Sequence, residues 1–291
     1  MEGGEQVGAM ETFLKWATDL GITDSSLSHS QTQSSCLGQS LCISHFPQSG
    51  GRGLAAANDL TKNQLVLRVP KSALITIQTL LSNDIKHSLC VQRYPNLSST
   101  QRLCVCLLAE MGKGKGSCWY PYLMQIPRCY ETLSSFTQFE TQALQVDDAI
   151  WAAEKAILKA KVEWKEAIVL MKELELRPQF QTFKSWLWAS ATVSSRTMHV
   201  SWDDAGCLCP VGDFFNYAAP GEDMDATETT DDQFNGHVQR LTDAGYEEDA
   251  DAYCFYARRS YGKGEQVPSN FLQFVGIIRN ILFFLKEDIP E

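Results

Sequence analysis

The 291-residue sequence is first defined by what it lacks. No run of Lys or Arg occurs and the net charge is −10, which argues against broad binding to nucleic acid or to an anionic membrane. No G-x-x-x-x-G-K loop is present, and G-G-R-G at 50–53 lacks the spacing of a dinucleotide fingerprint. The acidic stretch Glu222 to Asp232 has no D-x-[DN]-x-[DN]-G pattern, so it reads as a solvated insertion rather than a calcium loop. Ten cysteines are present, but the pairs Cys104/Cys106 and Cys207/Cys209 are C-x-C, and no H-x-x-x-H accompanies them, so no metal site is expected. The N-terminus is acidic and glycine-rich without an apolar h-region. Reduced thiols in the nucleus or cytosol are therefore expected rather than a disulfide framework, and a plastid transit peptide is a poor match. No fixed period recurs, which excludes a helical-repeat architecture.

What is there is an ordinary globular composition, 44% apolar and 21% charged, long enough for one large domain or two. One stretch organises the rest: G-C-L-C-P-V-G-D-F-F-N-Y-A-A-P-G-E, Gly206 to Glu222. Its apolar run, Cys207 to Val211, predicts a short strand or turn that delivers Asp213 and Asn216 toward an interior. An Asp and an Asn are costly to bury alone, so they need partners: each other in a capped turn, or a ligand.

Along the chain, Met10 to Leu20 predicts an amphipathic helix, followed by a Ser/Gln-rich loop. Residues 41–76 read as strands, with Gly51 and Gly53 permitting a hairpin turn or close approach of a ligand to the backbone. Arg102 to Met111 predicts a helix closed by G-K-G-K-G. Trp119 to Pro127, W-Y-P-Y-L-M-Q-I-P, reads as an extended packed linker. Asp147 to Leu176 carries Ile150, Trp151, Ala153, Ile157, Ala160, Val162, Trp164, Ile168 and Met171 at helical intervals, which predicts a long helix with these residues in the core. Phe180 to Ser195 continues as helix, and Asp251 to Tyr261 alternates as a half-buried strand.

Four of these pieces together resemble the SET-domain lysine methyltransferases, in the branch typified by the Rubisco large-subunit methyltransferase. They are G-R-G-L-A-A at 51–56, W-Y-P-Y-L-M-Q-I-P at 119–127, S-R at 195–196 followed by D-F-F-N-Y at 213–217, and K-G-E-Q-V at 263–267. Order and spacing agree over residues 40–267. The resemblance implies an α+β fold: a β-rich SET core, 40–90 and 195–267, interrupted by a helical insertion at 91–194. An N-terminal helix and loop at 1–39 and an apolar tail at 268–291 complete the expected plan.

It further implies methyl transfer from S-adenosylmethionine to a lysine of a histone or non-histone protein, without metal, direct nucleic-acid contact or a membrane span. By position, the backbone around Gly51, Arg52 and Gly53 would approach the cofactor's amino-acid end. Asn216 and Tyr217 would hold its adenine and amino-acid portions. Arg196 would lie near the cofactor and the lysine channel, and Asp213 near that channel. Tyr256 and Tyr261 are assigned to packing.

Two departures stand out. Tyr217 replaces the family's usual His. After Val267 the family continues with S-Y-G, an Asn and a Y-G-F that carry the catalytic Tyr, whereas this sequence continues P-S-N-F-L-Q-F-V-G-I-I-R-N-I-L-F-F-L-K-E-D-I-P-E. The implied expectation is a C-terminally truncated relative without the helical substrate-binding domain, weakly active or inactive, from an alternative transcript. The alternative is a non-catalytic SET-fold interaction module. The tail itself is too short, and interrupted by Arg279, for a membrane span.

Overall fold

A computed structural model of the chain describes residues 2–25, 35–49, 51–82, 85–216 and 243–269. In chain order it contains α1 (Glu2–Asp19), β1 (Leu41–Phe46), β2 (Gly51–Ala56), β3 (Leu65–Pro70), α2 (Ile77–Leu81), α3 (Ile85–Gln92) and α4 (Ser99–Lys113). There follow α5 (Tyr120–Leu123), α6 (Gln138–Ala143), α7 (Asp147–Glu173), α8 (Phe183–Arg196), β4 (Thr197–Val200), β5 (Asp203–Leu208), β6 (Ala244–Glu247) and β7 (Ala252–Tyr256). The class is α+β, as the sequence predicts, and every strand pair is antiparallel.

The chain divides into two compact units. The first, Met1–Phe13 with Ile75–Leu208, is mainly helical. Its centre is α4, which begins at a capping box: Ser98 Oγ accepts from the Gln101 N–H, and Gln101 reaches back to the Ser98 N–H. Residues 103–110 of α4 are all buried, so this helix is apolar on nearly every side and needs neighbours all round. It packs on α2, α7 and α8. Helix α8 starts at Thr182, whose hydroxyl accepts from the Ser185 N–H. Helix α7 opens on Asp147 and Asp148 and closes near Lys172, charges that suit the ends of its dipole.

The buried face of α7 is built from Ala153, Ala160, Ala167, Leu170 and Met171. Trp151 and Val162, expected in the core, are instead 53% and 46% exposed. The helix carries apolar residues on two faces, and only the alanine face meets the unit. A second correction concerns Trp119 to Pro127. Part of it forms the short helix α5 rather than an extended linker, because Pro121 sits in the first turn, where a missing N–H costs nothing. The N-terminal helix also reaches back to Glu2, and the strand expected at Cys207–Val211 is β5, which ends at Leu208.

The second unit, Leu14–Leu74 with Cys209–Glu291, holds the β1–β2 hairpin and the sheet β3-β7-β6. Hairpin register is continuous, from Leu41 opposite Ala56 to Phe46 opposite Gly51. Its entry is fixed by Asp24, a residue that no local pattern singles out. Asp24 is 1% exposed, and its Oδ2 accepts the backbone N–H groups of Gly38, Gln39, Ser40 and Leu41 at 2.8, 2.8, 2.8 and 2.9 Å. One carboxylate thus gathers the four donors that lead into β1.

Candidate functional site

The site is assembled on β2 of the second unit. Past Leu208 the chain makes a turn through Val211, a β-branched residue held at φ 69°, a conformation that costs about 1–3 kcal/mol and persists only where its surroundings enforce it. Two hydrogen bonds do so: the Asp213 N–H donates to the Cys209 carbonyl at 2.9 Å, and the Phe214 N–H to the Val211 carbonyl at 3.0 Å. Gly212 is required for a different reason. A Cβ there would lie 2.5 Å from the Phe255 ring and 2.7 Å from Cys209 Sγ. The turn is pressed onto β7, with Phe215 stacked on Phe255 at a centroid distance of 5.0 Å.

This turn brings Phe214 and Asn216 against β2. The Arg52 guanidinium lies over the Phe214 ring, 4.0 Å from its centroid. Gly53 faces the Asn216 side chain so closely that any Cβ would collide with the amide nitrogen. That nitrogen, Nδ2, is buried and has no hydrogen-bond partner among the described residues. Native proteins rarely leave such a donor unmatched, and where they do, an unseen ligand or water is a frequent cause. Asp213 is 6% exposed on the same turn.

The segment 264–269 closes the other edge of β2. The Gly264 N–H donates to the Ala56 carbonyl, the Ala56 N–H to Glu265, and the Val267 N–H to Leu54, at 2.8, 2.8 and 2.9 Å. Two residues further, the Ser269 N–H donates to the Asn216 carbonyl at 2.9 Å. Asn216 is therefore held by its main chain while its amide remains available. Gly51, Arg52, Gly53, Asp213 and Asn216 thus come together within one unit, alongside K-G-E-Q-V. Phe214, Phe46 and Ser269 are contributors that sequence reading missed; the doubled Phe of D-F-F-N was a local signal for Phe214 alone.

Arg196 belongs to the other unit, at the last position of α8, where its Nε donates to Tyr130 Oη at 3.1 Å. Tyr217, the acidic stretch Glu222 to Asp232 and the tail from 270 lie outside the described residues. Tyr256 Oη donates to the Glu247 carboxylate at 2.9 and 3.1 Å, and Tyr261 is buried with the Arg259 guanidinium over its ring at 4.3 Å. Both are packing roles.

The electrostatics point away from thiol chemistry. Burial pushes the thiols of Cys36 and Cys106 up to about 12, that of Cys254 up to about 11, and that of Cys207 further still. None is a thiolate at neutral pH. Glu265, at the turn before the closing segment, is shifted the opposite way. A hydrogen bond from Arg259 holds its carboxyl below the usual range, helped by the Gly262 N–H. A depressed folded-state pKa gives stability that is present above the unfolded value and is lost as pH falls through the lowered one. We expect a carboxyl-resolved NMR titration to place the Glu265 midpoint below that of an ordinary glutamate, and Arg259→Ala to move it up. An unchanged midpoint in that variant would contradict the assignment.

No protein-family model matches the chain. It is 56% identical over 267 residues to Protein SET DOMAIN GROUP 40 of Arabidopsis thaliana, covering 89% of this chain and 54% of that protein. It is 24% identical over 232 residues to an actin-histidine N-methyltransferase of Xenopus tropicalis, covering 76% of this chain and 36% of that one. Among solved structures, the SET domain of LSMT bound to lysine and AdoHcy matches with a TM-score of 0.65 at 18% identity, over 91% of this chain and 54% of that chain. The chain spans about half the length, or less, of each of these relatives. On this identity the chain belongs to the SET-domain proteins, and its fold is similar to that of the LSMT SET domain.

Proposed function

We propose that the chain binds S-adenosylmethionine at the β2 site and belongs to an enzyme that transfers its methyl group to a lysine ε-amine of a protein. The observation that carries this reading is the buried, unmatched Asn216 amide nitrogen set against the Cβ-free edge of Gly53. The missing Cβ lets the Asn216 amide pack against β2, where its unmatched donor would hold a ligand's polar end. The residues fit the group: a glycine edge for close approach, an amide donor, and the cation of Arg52 steadied on Phe214. When bound, S-adenosylmethionine supplies a methyl carried on a sulfonium sulfur.

Gly51 to Gly53 would admit the amino-acid end, and Asn216, with Tyr217 beside it in sequence, would hold that portion and the adenine. Asp213 would border the lysine channel. Methyl transfer is an in-line displacement in which the amine lone pair forms the new C–N bond as the C–S bond breaks, so the amine must be neutral and water excluded. The burial of residues 205–215 suits that requirement. The LSMT SET domain solved with lysine and AdoHcy supports lysine as the acceptor.

Transfer is expected to be slow, because Pro268, Ser269 and Asn270 follow Val267 where the resemblance has S-Y-G. A misplaced reacting group alone can cost about 100-fold. A second reading, histidine as acceptor, draws on the similarity to the actin-histidine enzyme. Labelled methyl transfer to a protein extract, followed by hydrolysis to amino acids, separates them. We expect a slow yield of ε-N-methyllysine. Methylhistidine would replace the lysine assignment with the second reading, and no labelled residue alongside intact cofactor binding would favour a non-catalytic binding module.

A further inference from the structure

Helix α7 is 27 residues long, and the face opposite its buried alanines carries Trp151, Leu158, Val162 and Val169, which are 53%, 64%, 46% and 52% exposed. At about 100° per residue these four fall within roughly 20° of one line, about 27 Å long at 1.5 Å per residue. Exposed apolar side chains scattered singly need no explanation, but a stripe aligned along a whole helix marks an interaction surface. Its spacing of seven, four and seven residues is the d, d, a, a pattern of a two-helix seam.

That spacing is also a palindrome. When two copies of α7 run antiparallel about a twofold axis at Ala160, Trp151 of one copy meets Val169 of the second, and Leu158 meets Val162. The flanking charges follow the same symmetry. Lys155 and Glu166 lie on one side of the stripe, and Lys165 and Glu154 on the other. In the antiparallel pairing each side faces its own kind, so Lys155 approaches Glu166 of the second copy and Lys165 approaches Glu154. Asp147 and Lys172 stand in the same relation at the ends. Glu154, Lys165, Glu166, Lys172 and Asp147 are exposed and Lys155 is half-buried. Within its own copy Lys155 lies over the Trp151 ring at 4.8 Å, and Glu166 accepts from Gln101 Nε2 at 2.8 Å. The first contact lies on the Trp151 ring at one end of the stripe, and the second lies beside the stripe.

We infer that the exposed face of α7 is a self-complementary surface on which a second copy of this chain docks, antiparallel, to give a twofold dimer. A single helix pair lies at the small end of protein interfaces, so the dimer forms and dissociates in the micromolar range. The inference is independent of the proposed methyl transfer, since it uses no residue of that site.

Sedimentation equilibrium of the chain across the micromolar range tests it. The wild type is expected to pass from monomer to dimer. Leu158→Glu, at a position already in solvent, is expected to weaken association about tenfold or more with unchanged circular dichroism. Glu154→Lys and Lys165→Glu should each weaken it, and the double variant should restore it, because the exchanged charges again face each other. A wild type that stays monomeric throughout overturns the inference. So does a dimer that Leu158→Glu leaves intact, or a charge pair whose double variant is no better than the singles.

Discussion

Gly53→Ala is expected to abolish measurable S-adenosylmethionine binding while leaving the chain folded. The backbone at Gly53 is not in the left-handed region, so alanine introduces no conformational strain there. The whole effect is steric. The new methyl would collide with the Asn216 amide nitrogen, and it would stand 3.1 Å from Asn216 Cγ and 3.1 Å from the Phe46 ring. Of these neighbours, Asn216 has the free side chain, so it is the one displaced. The ligand then loses the amide donor and the space beside β2 together. One charge-assisted hydrogen bond is worth about 1.5–3 kcal/mol, and the lost contact area adds to it, so a reduction of roughly 100-fold or more is expected. Gly51→Ala makes the contrast. At φ 91° its backbone resists a side chain, but the nearest atom is His45 Cε1 at 3.6 Å. It should lower stability more and displace Asn216 less. Titration calorimetry and thermal melts of both variants check the difference.

Asp24→Ala is expected to remove a large part of the stability of the second unit. Four backbone donors converge on one carboxylate oxygen. Gly38 and Gln39 are exposed and can turn to water, but Ser40 and Leu41 are buried and cannot. Two stranded N–H groups at about 1–3 kcal/mol each put the loss near 4 kcal/mol, a large part of what a domain has. Asp24→Asn keeps an acceptor oxygen and should cost less than half as much, the charge assistance alone being lost. Urea unfolding of the three proteins gives the ordering directly; equal stability of Asp24→Ala and wild type would contradict it.

The legible parts of this chain were those written in short-range pattern. Leu65 to Pro70 is a β-rich run, and the helical patterns of Arg102 to Met111 and Phe180 to Ser195 fall on α4 and α8; each is local, and each element formed close to its signal. The candidate site residues came from the resemblance carried by the short motifs G-R-G, D-F-F-N and K-G-E-Q-V, each contained within a few residues. What the sequence could not reveal depends on distance along the chain. Asp24 serves donors fourteen to seventeen residues away, across a stretch whose composition says only loop. The φ of Val211 is imposed by hydrogen bonds and by Phe255, not by any preference of valine. Trp151 and Val162 looked like core because periodicity reports that a helix has an apolar face, and α7 has two. Pro121 looked like a break because proline ends helices in their interior, yet it opens α5.

The central claim is that the turn through Asn216 and the edge of β2 form a pocket for S-adenosylmethionine. The most direct test is calorimetric titration of the cofactor into the purified 1–291 chain, beside Asn216→Ala verified as folded by its melting curve. Wild-type binding near the micromolar range is expected, with none detectable in the variant. A folded wild-type chain that does not bind, or an Asn216→Ala variant that binds equally well, would contradict it.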